Sequence, residues 1–354
     1  MRVSSLPLGA RLGVLGGLLA LATACKKDSD VGVSLPAEVA FTQAGLYPEG
    51  KQYDDQRGLF LVSSETAGRI GQVTDMGSYS IFADDPQLIS SVGLRLDAAR
   101  NRLLVAVSDP GYNLDRTKTA KGQLSNLAAL SIFNSSTGAK TNYVDLGAFT
   151  PAGGATYPAH FANDIAVDGV GNAYITDSFA PIIYRVDTQG AVTRFVENVV
   201  LAAPTGKFGL NGIVYHPSGY LLVAKSDEGK LLKIPITTVA GTTTIVPGTI
   251  TTVTLPTGLS LSGDDGLQLT NNTTLLVVCN AQGKVYRLTT TDDFGSVANA
   301  TGTAGTFSTG AVYPTTLARR ADATSYVLHS YLSALQASQT PAVSAFKLQK
   351  VDFK

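Results

Sequence analysis

Short apolar runs alternate with polar turns along almost the whole chain, and the runs come in pairs. A typical pair is IVYHPSGYLLVAK (213–225), in which Pro217, Ser218 and Gly219 separate two apolar segments. Apolar runs of four to eight residues bounded by turn-forming residues predict β-hairpins. We therefore expect a protein that is almost entirely β.

The hairpins recur along the chain after Pro36. The matching segments are PEGKQYDDQRGLFLVSS (48–64), SVGLRLDAARNRLLVAVSD (91–109), ANDIAVDGVGNAYITDS (162–178), LNGIVYHPSGYLLVAKS (210–226), DDGLQLTNNTTLLVVCN (264–280) and PTTLARRADATSYVLHS (314–330). Most are about 40–50 residues apart, which is typical of β-propeller blades. Further strands such as PIIYRVD (181–187) and VTRFV (192–196) follow the hairpins. The pattern predicts six blades of four antiparallel strands each.

Two further segments fit this fold. An insertion, PGYNLDRTKTAKGQLSN (110–126), explains the wider spacing between the second and third repeats. The alternating segment AEVAFTQAG (37–45) is expected to pair beside SAFKLQKVDF (344–353) in the last blade. Such pairing closes the ring and removes an exposed sheet edge. The prediction is an all-β, six-bladed propeller over residues 37–354, closed by its N-terminal strand.

The first 24 residues resemble a secretory signal peptide. LGVLGGLLALA (12–22) follows two arginines, is too short to span a membrane, and ends in small residues before Cys25. A cysteine at this place resembles the bacterial lipobox, which implies acylation of Cys25; cleavage near Ala24 with an unmodified cysteine is the alternative. Residues 25–36 form a polar tether. We expect a lipid-anchored envelope protein of the outer membrane, facing either the periplasm or the outside.

Charge and cysteine content limit the partners. Lys and Arg together number 27 and so do Asp and Glu, so no basic field is available to attract nucleic acid or an anionic membrane surface. Contact with the lipid membrane then depends on the acyl chain of Cys25 alone. If Cys25 is acylated, Cys279 has no partner for a disulfide. We expect a monomer.

One position in each repeat is a candidate for chemistry. The innermost strand of a propeller blade lines the central channel, so the residue before it lies near the axis at one end. These residues are Glu49, Val92, Asn163, Asn211, Asp265 and Thr315. Turn formation alone favours the same residue types in every blade, whereas four of these carry the oxygens that Ca²⁺ prefers and none is a His or Cys suited to zinc. A bound Ca²⁺, or another hard divalent cation, is predicted; a channel filled with ordered water is the alternative.

This arrangement resembles the regucalcin/gluconolactonase family, the senescence-marker-protein-like lactonases, over the whole mature domain. Glu49-Gly50, Asn211-Gly212 and Asp265-Gly266 resemble the dipeptides that carry that family's metal ligands. Asn163-Asp164 resembles its third-blade pair, whose Asn lies close to metal and substrate. The resemblance implies that Asp265 is the catalytic base and that Asn163 orients the substrate or the ion. Lys51 stands where the family usually has proline, and Asp264 adds a neighbouring charge.

Other residues are candidates because of strand direction. Strands in a blade are antiparallel, so the loop that leaves each second strand returns to the metal face. Tyr112 and Arg116 in the insertion are candidate lid residues, with a solvated loop as the alternative. His160 and His329 are candidate proton shuttles, each with a structural role as the alternative, and Asp264 is a substitute base.

Two functions remain open at this level. The first is a calcium-dependent hydrolase of a small lactone or ester, gluconolactonase-like, on an envelope-anchored propeller. The second is a non-catalytic propeller of the NHL type that binds a protein or glycan partner. Aromatic residues make up only 8% of the chain and tryptophan is absent, so the composition gives no sign of an aromatic partner-binding face.

Overall fold

Strands make up nearly all of the regular structure in residues 35–113 and 126–354, the part of the chain that the computed structural model describes. The predicted signal peptide, Cys25 and Arg116 lie outside these residues. The chain from Pro36 to Lys354 forms one compact unit. No helix within the described ranges is both long and apolar enough to cross a membrane.

The first half of the unit contains β1 (Glu38–Thr42), which belongs to blade 6, and the strands of blades 1–3. Blade 1 contains β2 (Lys51–Asp54), β3 (Leu59–Val62), β4 (Ile70–Thr74) and β5 (Tyr79–Ala83). Blade 2 contains β6 (Ser90–Asp97), β7 (Arg102–Ser108), β8 (Ala128–Asn134) and β9 (Lys140–Asp145). Blade 3 contains β10 (Ala162–Val167), β11 (Ala173–Asp177), β12 (Ile182–Val186) and β13 (Val192–Glu197).

The second half contains the other blades and a short helix. Blade 4 contains β14 (Leu210–His216), β15 (Tyr220–Lys225), β16 (Lys230–Thr238), β17 (Ile245–Pro247) and β18 (Thr251–Thr252). Blade 5 contains β19 (Asp264–Asn271), β20 (Thr274–Cys279), β21 (Lys284–Thr289), β22 (Ala298–Asn299) and β23 (Thr306–Ser308). Blade 6 contains β24 (Pro314–Arg319), β25 (Ser325–His329) and β26 (Ala345–Lys350), and the helix α1 (Leu332–Gln336) follows β25.

Every strand pair within these blades is antiparallel. The innermost strands contact one another around the axis in the order β2, β6, β10, β14, β19, β24 and back to β2. The predicted six-bladed β-propeller is therefore confirmed over the described residues.

The N-terminal strand closes the ring as predicted. β1 is the outer strand of blade 6, in the order β1, β26, β25, β24, with Phe41 paired to Phe346. Phe41 is 3% exposed and its ring lies 5.9 Å from that of Phe346 and 6.2 Å from that of Tyr79 in blade 1. Because β1 joins the two ends of the chain in one sheet, the propeller has no gap between its last and first blades.

The core lies between the blades rather than within one of them. A cluster of buried apolar side chains fills each interface between neighbouring blades in the described residues. Successive residues of a strand belong to different clusters, since side chains alternate across a sheet. Leu221 packs towards blade 3 and Leu222 towards blade 5. Burial on both faces explains why the second strands are continuously apolar in sequence.

Glycine allows the innermost strands to approach closely near the axis. A Cβ atom at Gly212 would lie 2.2 Å from the carbonyl oxygen of Asp265 in the next blade. A Cβ at Gly50 would likewise lie 2.2 Å from the carbonyl oxygen of Val92. No side chain fits at such distances, so the glycines that follow Glu49 and Asn211 are a requirement of the fold. They also set the position of the candidate residue in the neighbouring blade.

Candidate metal centre

Irregular strand pairing places the candidate residues at the axis. The register of the inner hairpin shifts at Val92-Gly93, Asn163-Asp164, Asn211-Gly212, Asp265-Gly266 and Thr315-Thr316. A bulge of this kind re-aims a side chain relative to the regular pleat. Blade 1 differs, because Glu49 and Gly50 precede its regular first strand. The sequence register that singled out these residues thus corresponds to a local backbone feature in blades 2–6.

The four predicted metal-binding residues line one cavity. Glu49, Asn163, Asn211 and Asp265 come from blades 1, 3, 4 and 5, and each is at most 8% exposed. Two carboxylates and two amides therefore meet at one end of the channel. Val92 of blade 2 also lines the cavity.

Hydrogen bonds to serine orient both amides. Nδ2 of Asn163 donates to Oγ of Ser178 at 3.0 Å, and Nδ2 of Asn211 donates to Oγ of Ser226 at 3.1 Å. In the described residues, Oδ1 of each asparagine is buried and has no hydrogen-bond partner. A buried acceptor without a partner costs about 1–3 kcal/mol. Two such oxygens lining one cavity are available to contact a bound ligand.

Similar side-chain hydrogen bonds hold the equivalent residues of blades 5 and 6, with different residue types. Nδ2 of Asn280 donates to Oδ2 of Asp265 at 3.1 Å, and the hydroxyl groups of Thr315 and Ser330 form a hydrogen bond with each other. Ser178, Ser226, Asn280 and Ser330 are each the residue directly after the second strand of their blade. They are the final letters of the repeated segments, so a sequence signal was present. None of these orienting residues was among the predicted site residues.

Buried acidic side chains accumulate at this end of the channel. Burial, reinforced by the nearby Asp164 carboxylate, raises the pKa of Asp265 to about 8. Burial and the Asp265 carboxylate raise the pKa of Glu49 well above its usual range. None of the described residues that line the cavity is a Lys, Arg or His. A divalent cation would supply the missing positive charge.

Glu65 is a third carboxylate at the cavity and was not among the predicted site residues. It lies in the loop after β3, lines the cavity, and is 4% exposed. Its Oε2 atom is buried without a hydrogen-bond partner among the described residues, and burial followed by the Asp265 carboxylate raises its pKa to about 8. The available signal was its loop, since loops after second strands return to this face. Its residue type alone did not distinguish it from other loop acids.

The remaining candidates lie in different places. Tyr112 lines the cavity, whereas Asp264, His160 and His329 are not among its lining residues. Asp264 is fully buried, and neither of its carboxylate oxygens has a partner in the described part of the chain. It lies opposite Cys279 in the pairing of β19 with β20.

Both histidines are held by neighbouring side chains. Nδ1 of His160 lies 2.6 Å from Oδ2 of Asp177 and 3.2 Å from the hydroxyl of Tyr184. Nε2 of His329 lies 2.9 Å from Oε1 of Gln349. Burial lowers the pKa of His329 to about 4. Neither imidazole is among the groups that line the cavity, so both proton-shuttle assignments stay predictions.

The donor set fits a hard cation only if the amides take part. Within residues 35–113 and 126–354, no group of three or more His, Cys, Asp or Glu side chains is placed to hold a metal ion. Glu49 and Asp265 thus need the free oxygens of Asn163 and Asn211 to complete a site. Ca²⁺ accepts carboxylate and amide oxygens together. The residues present fit that ion.

No protein-family model and no curated protein matches the sequence. Solved structures do: the major allergen Mala s 1 of Malassezia sympodialis superposes with a TM-score of 0.67 at 17% identity, over 90% of this chain and 97% of the allergen. The calcium-binding protein regucalcin of Agrobacterium tumefaciens superposes with a TM-score of 0.57 at 17% identity, over 88% of this chain and 93% of the regucalcin chain. A gluconolactonase of Xanthomonas campestris superposes with a TM-score of 0.56 at 11% identity, over 88% of this chain and 89% of the gluconolactonase chain. The chain has the six-bladed propeller fold of the regucalcin and gluconolactonase structures.

Proposed function

We propose that the protein binds Ca²⁺ in this cavity through Glu49, Asn163, Asn211 and Asp265. There it hydrolyses a small lactone or ester. The proposal rests on the fact that these four side chains line one cavity. Both asparagine Oδ1 atoms there are buried and have no hydrogen-bond partner among the described residues. Two carboxylates balance the charge of one Ca²⁺. The likeness to a calcium-binding regucalcin and to gluconolactonases supports the proposal at the level of the fold.

Each protein residue has a distinct task in this proposal. Ca²⁺ held by these four residues would act as a Lewis acid that polarises the carbonyl group. Asp265 accepts the proton of the attacking water, whose oxygen bonds to the carbonyl carbon. The ester C–O bond then breaks, and the proton passes to the leaving alkoxide. Asn163, held by Ser178, orients the substrate through its amide.

Glu65 is a second candidate for the proton acceptor. It lines the same cavity, and its unpartnered Oε2 is free to accept a hydrogen bond from a water molecule. Comparing Glu65→Gln with Asp265→Asn separates the two assignments. If the base is not a metal ligand, the variant that lacks it loses turnover but still binds calcium. If the base is also a metal ligand, the variant loses both turnover and calcium binding.

The test is lactone hydrolysis by the purified protein, followed by acid release at constant pH with calcium and with EDTA. We expect turnover with calcium, its loss in EDTA, and a decrease of at least about 100-fold in Asp265→Asn. Turnover that persists unchanged in EDTA would eliminate the metal from the reaction. Calcium binding without hydrolysis of any lactone or ester would favour the non-catalytic NHL-type propeller.

We also propose that the protein acts as a monomer attached to the bacterial envelope through an acyl chain on Cys25. The support is the sequence pattern of residues 1–25 alone. Incorporation of labelled palmitate that disappears in Cys25→Ala tests the anchor, and analytical ultracentrifugation in detergent tests the oligomeric state. Labelling that survives the substitution contradicts the anchor.

A further inference from the structure

Apart from its carboxylates and amides, the cavity has a mainly apolar and aromatic lining. Val92, Pro110, Phe161, Phe208 and Leu332 line it, together with Tyr112 and Tyr313. Apolar walls with a few polar groups are typical of small-molecule sites.

Two phenylalanines form the centre of this wall. The rings of Phe161 and Phe208 meet edge to face with centroids 5.1 Å apart, and both contact Phe179, with centroids 5.5 and 5.0 Å away. Phe161 is 4% exposed, whereas Phe208 is 39% exposed. Phe161 is thus fixed by its neighbours, while Phe208 keeps a large free apolar surface. A ligand that covers this surface gains the free energy of burying it.

The polar part of the lining consists mainly of acids and amides. Glu49, Glu65 and Asp265 are three acids in a lining without Lys, Arg or His among the described residues. An anionic group of a substrate would meet these acidic side chains and no basic one among the described lining residues. Asn280 already donates to Asp265, and in blade 2 the ligand register is occupied by the apolar Val92.

We propose that the substrate is an uncharged lactone or ester with an apolar alkyl or aryl substituent, which packs on Phe161 and Phe208, rather than a polyhydroxylated sugar lactone. This inference rests on the proposed hydrolase function and specifies its substrate class. The carbonyl lies at the carboxylate and amide end, and the substituent covers the exposed face of Phe208.

The test uses three lactones with the same six-membered ring, in which the ring oxygen is bonded to a secondary carbon: δ-hexalactone, δ-decalactone and D-glucono-δ-lactone. We expect kcat/KM to rise from δ-hexalactone to δ-decalactone by about fourfold for each added methylene that the cavity buries. D-Glucono-δ-lactone is expected to be the poorest of the three. Equal values for the two alkyl lactones, or a preference for D-glucono-δ-lactone, would overturn the substrate class and leave the hydrolase function standing.

A matched pair of variants locates the preference. Phe208→Ala is expected to lower the ratio of kcat/KM for δ-decalactone over δ-hexalactone by about tenfold. Phe307→Ala removes the same ring from β23, outside the cavity lining, and is expected to keep the ratio. A ratio that is unchanged in Phe208→Ala contradicts the placement of the substituent. If that variant does not fold, the wild-type ratios among the three lactones still decide.

A binding measurement separates failure of this inference from failure of the proposed function. The lactams that correspond to δ-decalactone and δ-valerolactone resist hydrolysis, and their binding is followed by titration calorimetry in the presence of calcium. If no lactone or ester is hydrolysed, the hydrolase function fails. Tighter binding of the alkylated lactam, weakened in Phe208→Ala, still supports an apolar ligand, and equal or undetectable binding overturns it.

Discussion

Asn211 and Ser226 are joined by a hydrogen bond of 3.1 Å from Nδ2 to Oγ, which determines the direction in which the amide oxygen of Asn211 points. The serine also donates to the carbonyl oxygen of Asp264 in the next blade. One hydroxyl group therefore orients a candidate ligand and ties it to the backbone beside Asp265. Such outer partners of metal ligands commonly influence affinity by 10- to 100-fold.

Ser226→Ala is accordingly expected to weaken calcium binding by about tenfold or more, because the amide of Asn211 is then free to rotate. Calorimetric titration with Ca²⁺ measures the effect. Ser330→Ala is the matched control, since Ser330 holds Thr315 at the equivalent place in blade 6, where no carboxylate or amide is present. Equal loss of affinity in both variants would show a general effect on the ring rather than orientation of a ligand.

Calcium is expected to raise the melting temperature of the wild-type protein, because an ion that binds only the folded state stabilises it. At a free concentration of 100 times Kd the gain is about 2.7 kcal/mol. Asp265→Asn is expected to lose the increase. Asp352→Asn removes an exposed acid near the C-terminus and serves as the control. An increase of equal size in all three proteins would place the calcium elsewhere.

Gly212→Ala tests whether close packing at the axis positions the neighbouring ligand. The new methyl group would meet the carbonyl oxygen of Asp265, so we expect a loss of about 1–3 kcal/mol in the free energy of unfolding and weaker calcium binding. Gly169→Ala adds the same methyl group where nothing lies within 4 Å. Urea unfolding and calcium titration of both variants measure the two effects. Normal calcium affinity in Gly212→Ala would separate the glycine from the site.

His329 is expected to make the fold sensitive to acid. Its pKa is about 4 in the folded protein because of burial, against about 6.5 when unfolded, so only the unfolded chain binds the proton in between. Gln349, Lys347, Lys51 and Glu38 are the groups that act on it. Stability therefore falls as the pH decreases from about 6.5 to about 4, by at most about 3 kcal/mol from this residue.

His329→Gln is expected to reduce the difference in the free energy of unfolding between pH 7.5 and pH 4.5. Contributions of other titrating groups are common to both proteins and cancel in the comparison. Urea unfolding at the two pH values measures it. An unchanged difference would mean that the imidazole is protonated in the folded protein as well.

Phe41→Ala is expected to weaken ring closure. Phe41 is almost fully buried against Phe346 and Tyr79, so truncation to alanine removes packing worth about 3–5 kcal/mol. Thr42→Ala changes an exposed residue of the same strand and is the control. Urea unfolding compares the two variants, and similar midpoints would show that β1 contributes little to stability.

Much of this architecture was predictable because it depends on local patterns. Paired apolar runs separated by Gly, Pro, Asn or Asp identified the inner hairpins, and the repeat spacing identified six blades. The alternation in AEVAFTQAG predicted the closing strand, and in the structure Val39 and Phe41 are the buried residues of β1. The register before each first strand predicted that Glu49, Asn163, Asn211 and Asp265 lie together, because blades related by rotation place equivalent residues around one axis.

By itself, the sequence determined which oxygen-bearing side chains surround that axis. Only the tertiary structure decided which neighbours join them and in which direction their atoms point. Glu65 lines the cavity because its loop folds back to the axis, and Asp264 does not line it although it is next to Asp265 in the chain. The glycines appeared in sequence as parts of ligand dipeptides, but contacts between blades require them. Contacts at the axis join residues far apart in the chain, such as Thr315 and Glu49, which are 266 positions apart. No local pattern of apolar and polar residues contains such contacts.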